Sequence, residues 1–172
     1  MKLIPANDFE AVKAAYLDVI AHSPRLKEYA RWIYGMHPSD EELRSHIAAG
    51  EMYVLMDGTE IAGTAVIVPR QEPDYRAVSW AEPLADDQVA TLHLLAVCPK
   101  YQHRGLGGTI LEEAAEVAKR KGKKALRLDT LHCNTPAQRM YEKAGFSYRG
   151  KQHLYLENTG WADFLYYEKT LD

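Results

Sequence analysis

Gln102-His103-Arg104-Gly105-Leu106-Gly107-Gly108 lies between a strand-like stretch, Ala90–Val97, and a helix-like one, Thr109–Lys121. A helix start exposes amide N–H groups that lack partners within the helix, and its dipole adds partial positive charge there. Glycines let the backbone close around an anion without Cβ clashes. This loop can therefore cradle a phosphate, or it can simply make a turn. A Walker-type loop needs Lys-Ser/Thr after its last glycine, but Thr109-Ile110 follows Gly108. A dinucleotide fingerprint finds its first two glycines in Gly105 and Gly107 and an acid in Asp129. It fails at Ile110, where a third glycine or alanine belongs, and the link from Val97 to Gly105 is too long for its tight first turn.

Further along, Asn134-Thr135-Pro136-Ala137 reads as a helix start. Thr135 is the expected N-cap, Pro136 suits the first helical position, and Gln138 completes a capping box. Asn134 would then lie outside the helix with its amide free. Tyr141 falls on the same face as Ala137, where packing and chemistry are both open to it. Strand Ala90–Val97 alternates, which predicts that Thr91, His93 and Leu95 share one face.

The elements that must position these residues follow from changes of period. Lys2–Pro5 reads as a strand and Phe9–His22 as a helix, with Phe9, Val12, Tyr16, Val19 and Ile20 at helical spacing. Leu26–Gly35 is expected to be helical, and a helix from Pro38 ends near Gly50. Met52–Met56 and Glu60–Val68 form a hairpin around Asp57-Gly58. Pro69–Asp87, with three prolines, is irregular. Lys124–Leu131 is a strand, Pro136–Ala144 a short helix, and Ser147–Leu156 and Ala162–Thr170 two closing strands. Only Ala90–Leu131 has the strand–helix–strand form that makes a parallel pair.

Together these residues resemble the GNAT superfamily of acyl-CoA N-acyltransferases. Its Gln/Arg-x-x-Gly-x-Gly/Ala signature is met by Gln102, Gly105 and Gly107, with Leu95-Ala96-Val97-Cys98-Pro99 upstream. Asn134–Ala137 and Tyr141-Glu142-Lys143-Ala144-Gly145-Phe146 match a second motif. The resemblance implies an α/β fold with a mixed, mostly antiparallel six- to seven-stranded sheet, helices on both faces and a splayed parallel strand pair. It implies acetyl-CoA as co-substrate, no metal, and a small-molecule amine or protein amino group as acceptor. Pantetheine would lie against Leu95, Ala96 and Val97, the Val97 amide polarising the thioester carbonyl. Main-chain N–H groups of His103, Arg104, Gly105, Leu106, Gly107 and Gly108 would take the pyrophosphate, Asn134 would hydrogen-bond the coenzyme arm, and Gln102, Thr109 and Ala137 would also bind the coenzyme. Tyr141 would be the general acid. Family members often carry a glutamate near the start of the strand that here holds Thr91 and His93, so the base is open. His93 is one candidate, and a structural histidine is the other reading. Glu82, Asp86 and Asp87 are further candidates. Arg104, Arg139 and Lys143 are placed to meet the 3′-phosphate, and Tyr29, Trp32, Tyr34, Trp80 and Trp161 to wall the acceptor site. A non-catalytic acyl-CoA sensor on the same fold is the alternative.

At 172 residues one domain, 1–172, is expected. The net charge of −3 argues against non-specific nucleic-acid binding. Two cysteines in dissimilar contexts make no disulfide framework. No apolar run approaches the roughly 20 residues that span a bilayer. The start, Met1-Lys2-Leu3-Ile4-Pro5, becomes polar too soon for a signal peptide, so a cytoplasmic protein without membrane contact is expected. A homodimer stays open.

Overall fold

The structure is a computed structural model that describes residues 1–172. Its strands are β1 (Leu3–Pro5), β2 (Met52–Asp57), β3 (Glu60–Val68), β4 (Val89–Val97), β5 (Ala125–Leu131), β6 (Ser147–Leu156) and β7 (Gly160–Thr170). The helices are α1 (Phe9–His22), α2 (Leu26–Tyr29), α3 (Asp40–Ala48), α4 (Leu106–Arg120) and α5 (Thr135–Lys143). One seven-stranded sheet runs β1-β2-β3-β4-β5-β7-β6. Only β4 and β5 pair parallel. The family fold expected from the motifs is the fold observed.

Each face of the sheet buries its own core. Ile110, Leu111, Ala114 and Ala118 of α4 and Tyr141 of α5 pack with Leu55, Ile67, Leu92 and Leu128. On the other face Val12, Tyr16 and Val19 of α1 and Leu43 of α3 pack with Val54, Val66 and Ala96. Capping fixes where these helices begin. The Asp8 side chain accepts from the Ala11 amide at the start of α1, and Ser39 and Glu42 close a reciprocal capping box on α3.

Three expectations need correction. Leu26–Gly35 is helical only over α2, because Arg31 takes a positive φ of 55° and ends the turn. The long helix begins at Leu106 rather than Thr109. Gly105, at φ +77°, turns the chain so that Leu106, Gly107 and Gly108 already form the first helical turn. Most consequential is β4, whose alternation breaks midway. The pairs Thr64–Ala96 and Val66–His93 enclose one more residue on β4 than on β3, a β-bulge. Leu94 sits there at φ 49°. Before the bulge, Ala90 and Leu92 join the α4-side core; after it, Leu94 and Ala96 join the α1-side core. His93 and Leu95 therefore do not share a face.

The bulge is pinned from α1. The Tyr16 hydroxyl, fully buried, donates to the Leu94 carbonyl at 2.7 Å. The Tyr16 ring meets Trp32 edge-on at 5.8 Å. Tyr16→Phe keeps the ring and strands a buried carbonyl, which costs about 1–3 kcal/mol. Urea unfolding should show that loss; a variant as stable as wild type would mean that water or backbone relaxation replaces the bond.

Candidate active site

The parallel ladder between β4 and β5 ends at Leu92–Leu128. Beyond it the two strands part, and His93 and Asp129 are the first residues of the fork. A cavity of about 220 Å³ opens there, lined by His93, Leu95, Asp129, Asn134, Ala137 and Tyr141 among others. A channel leads away past Leu95, Ala96, Val97, Gln102 and Asn134. It meets a groove formed by His103, Gly105, Leu106, Gly107, Gly108 and Thr109 against Pro136, Arg139 and Lys143 of α5. Site residues that lie far apart in the sequence thus line adjoining hollows: cavity and channel share Leu95 and Asn134, and channel and groove share Val97, Gln102, His103 and Pro136.

The groove is the start of α4. No side chain caps that helix, so the amides of Leu106, Gly107 and Gly108 stay open while the Thr109 amide bonds the Gly105 carbonyl at 3.3 Å. His103 at φ 63° and Gly105 at φ 77° fold the approach into a concave turn. Gly107 answers a second demand, since a Cβ there would run into the Met140 sulfur of α5. One motif residue braces this arrangement. The Gln102 side chain donates to the Val97 carbonyl at 3.0 Å and to the Ser23 hydroxyl at 2.9 Å, tying the loop to the end of β4. The Arg104 guanidinium does not line the groove; it lies over the Tyr101 ring at 5.4 Å. Cationic charge at the groove comes from Arg139 and Lys143 instead.

The second motif caps its helix differently from expectation. Asn134, not Thr135, is the N-cap of α5, its Oδ1 accepting from the Ala137 amide at 3.3 Å. Asparagine is the stronger capping residue of the two. Asn134 still lines both the cavity and the channel. Tyr141, on the next turns of α5, is buried against Phe146 and Tyr167. Burial and the charge of Asp129 hold its phenol well above the ordinary range. It is a hydrogen donor at neutral pH.

On the opposite face, His93 is held by residues the motifs did not indicate. Its Nε2 lies 3.2 Å from Glu72 Oε1. Tyr75 packs against the imidazole at 6.2 Å and donates its hydroxyl to Asp129 Oδ1. Burial pushes His93 down, but the hydrogen bond and charge of Glu72, then Asp129 and Asp74, outweigh it and raise the imidazole above its ordinary value. Burial also lifts the Asp129 carboxyl, against the charge of His93 and the Tyr75 bond. Glu72 itself is drawn down: burial opposes, and the His93 bond and charge prevail.

The remaining sequence candidates disperse. Thr91 is buried and donates to the Arg70 carbonyl. Asp86 pairs with Arg76, and Glu82 lends its carbonyl to Arg127. Tyr29 and Trp32 wall the cavity. Tyr34 donates to Asp40, Trp80 packs on Arg127, and Trp161 is exposed on the β6–β7 hairpin. Glu72 and Tyr75 come from the irregular segment, where no periodicity marks a residue. Asp129 carried a signal: it is a lone acid on a strand of otherwise well-buried residues.

Residues 19–146 match the model of the Acetyltransferase (GNAT) family. The chain belongs to the GNAT family of acetyltransferases. Among curated relatives, a streptothricin acetyltransferase of Streptomyces lavendulae is 27% identical over 125 residues, 73% of this chain and 56% of its own length. This chain spans about half the length of the curated relatives it matches. Among solved structures, a ribosomal-protein-alanine N-acetyltransferase from Brucella melitensis superposes with a TM-score of 0.71 at 19% identity, covering 99% of this chain and 100% of that one. A Salmonella typhimurium protein, solved with its cofactor acetyl-CoA, gives 0.67 at 19% identity over 100% and 94% of the two chains. At these identities the likeness establishes the GNAT fold. No helix is long and apolar enough to cross a membrane.

The His93–Glu72 pair makes a pH signature. A raised histidine stabilises fully below its ordinary 6.5 and loses that contribution as pH climbs through the raised value. A lowered glutamate contributes above its ordinary 4.5 and loses it as pH falls through the lowered value. The pair is thus most stabilising between those two ordinary values. Imidazole NMR should place the His93 midpoint above 6.5, and Glu72→Gln should bring it down. A midpoint indifferent to Glu72→Gln would contradict the pairing.

Proposed function

We propose that this GNAT chain, as a single N-acetyltransferase domain over residues 1–172, moves the acetyl group of acetyl-CoA directly to a primary amine. The observation that carries this reading is the row of adjoining hollows, with shared lining residues, from the α4 amides to the fork. In it the pyrophosphate is held by the open amides of Leu106–Gly108 and the dipole of α4, with Arg139 and Lys143 nearby. The pantetheine arm runs along the part of β4 that β5 leaves unpaired, Leu95 to Val97, beside Asn134. This places the thioester at the fork, between Tyr141 on one face and His93 on the other. Acceptor and coenzyme then approach from opposite sides of the sheet.

The chemistry follows from that placement. The acceptor arrives as an ammonium and must lose a proton to expose its lone pair. With Nε2 donating to Glu72, His93 keeps its lone pair on Nδ1 and takes that proton, directly or through water. The nitrogen attacks the thioester carbonyl, whose oxygen draws on the Val97 amide. As the tetrahedral intermediate collapses, the C–S bond breaks, Tyr141 gives its proton to the departing thiolate, and the second proton shed by the attacking nitrogen returns through water to the Tyr141 phenolate. The products are the acetylated amine and CoA thiol, with one proton returned to solvent. The acceptor class is a small-molecule amine or a protein amino group, in keeping with the streptothricin acetyltransferase and the ribosomal-protein-alanine N-acetyltransferase that this chain resembles.

Tyr141→Phe tests the assignment. It keeps the ring and its packing and removes only the hydroxyl. Amine-dependent thiol release should fall by roughly 10²–10⁴-fold with acetyl-CoA affinity held. Preserved turnover with weakened folding or affinity would make Tyr141 a structural residue. A wild-type protein that binds acetyl-CoA yet releases no thiol with any amine would favour the sensor reading.

A further inference from the structure

The cavity at the fork has an uneven charge. Its lining of 21 residues includes no lysine and no arginine, and Asp129 is its one carboxylate. Fourteen of the 21 are hydrophobic, so a charge that enters finds little solvation. The surrounding acids deepen the asymmetry. Glu72 and Asp74 act on both His93 and Asp129. Neighbouring cations are already engaged, and the His93 imidazole, whose charge acts on Asp129, is held by Glu72. Arg127, two positions before Asp129 on β5, bonds Glu168, Gln71 and the Glu82 carbonyl. Arg31 donates to the Thr159 carbonyl at 3.2 Å. His37, on the wall, lies 3.0 Å from Glu42. Asp129 itself receives only the neutral Tyr75 hydroxyl, on Oδ1. A carboxylate in an apolar recess with a neutral donor calls for a cation from outside.

We propose that Asp129 is the seat for the acceptor's ammonium, and that it restricts the acceptor to amines with no carboxylate or phosphate close to the amino group. The inference rests on the acetyl-transfer reading and names the substrate class of that site. His93 and Asp129 each follow the last pair of the ladder, Leu92–Leu128, line the same cavity and both meet Tyr75, so an ammonium bound by one carboxylate oxygen sits beside the imidazole that takes its proton. An anionic group on the same small molecule would be buried without a partner and would face Asp129. Free amino acids are thereby disfavoured. Simple and polycationic amines, and amino groups whose neighbouring carboxyl is an amide, are admitted.

Three amines on one four-carbon chain test this: putrescine, aminobutanol and γ-aminobutyrate. Thiol release gives kcat/KM for each, and calorimetry of acetyl-CoA binding is run beside it. Wild type should prefer putrescine and aminobutanol to γ-aminobutyrate by at least about tenfold, as like charges in an apolar site require. Asp129→Asn should lower kcat/KM for the two favoured amines and shrink that preference by about tenfold. Tyr75→Phe removes the Asp129 hydrogen bond but keeps the charge, so the preference should persist. Equal use of γ-aminobutyrate by wild type, or a preference unmoved in Asp129→Asn, would overturn the inference. Acetyl-CoA binding with turnover of none of the three would overturn it as well. Failure to bind acetyl-CoA would instead remove the reading beneath it.

Discussion

The buried Tyr16 hydroxyl holds the Leu94 carbonyl, and with it a β4 that changes faces halfway along its length. A regular strand would keep its ladder to β5 and present one unbroken set of side chains to each core. The bulge does otherwise. It sends Leu94 and Ala96 to the α1 side and Leu95 to the α4 side, and the β5 ladder stops at Leu92–Leu128. The fork, the cavity and the open edge of β4 all follow from that interruption. A non-glycine residue at positive φ is costly, so the surrounding packing must over-determine it. Tyr16, Trp32 and the α1 core supply that constraint.

A second constraint holds the acceptor side. The segment between β3 and β4 has little regular structure, yet it delivers Glu72 and Tyr75 to the fork. It is tied to the sheet by Arg127, fully buried, which bonds Glu168 at 2.8 Å and the side chain of Gln71 while lying over the Trp80 ring at 4.2 Å. Glu168 also accepts from the Ala81 amide at 3.0 Å. Removing one partner of such a buried pair leaves an uncompensated charge, which is why pairs like it are strongly held once formed. The position of His93 and Asp129 thus depends on Arg127 of β5 and Glu168 of β7.

Much of this was legible in the sequence. The glycine loop announced the open helix start, and the Asn134-to-Tyr141 spacing announced a capped helix facing it. The order of periods gave a mixed sheet with one parallel pair. What was hidden is hidden for physical reasons. Nothing in Leu92-His93-Leu94-Leu95 signals a bulge, because the device that stabilises it is a tyrosine 78 positions away. Glu72 and Tyr75 sit where neither period applies, and their partners are equally remote. Asn134 against Thr135 as N-cap is a choice between two competent residues, settled by the turn closed on Leu131, which leaves Asn134 at φ −81°, ψ 63°, just outside the helix. Asp129 was visible as a strand acid, but only the fork gives it a neighbour in His93.

Hydrogen exchange read by mass spectrometry tests the central claim, that the coenzyme occupies the open edge of β4 and the start of α4. Adding acetyl-CoA should slow exchange in peptides covering Leu95–Val97 and Leu106–Gly108, and leave the β6 edge, Ser147–Leu156, unchanged. Slowing confined to other parts of the chain, or none at saturating acetyl-CoA, would contradict the account.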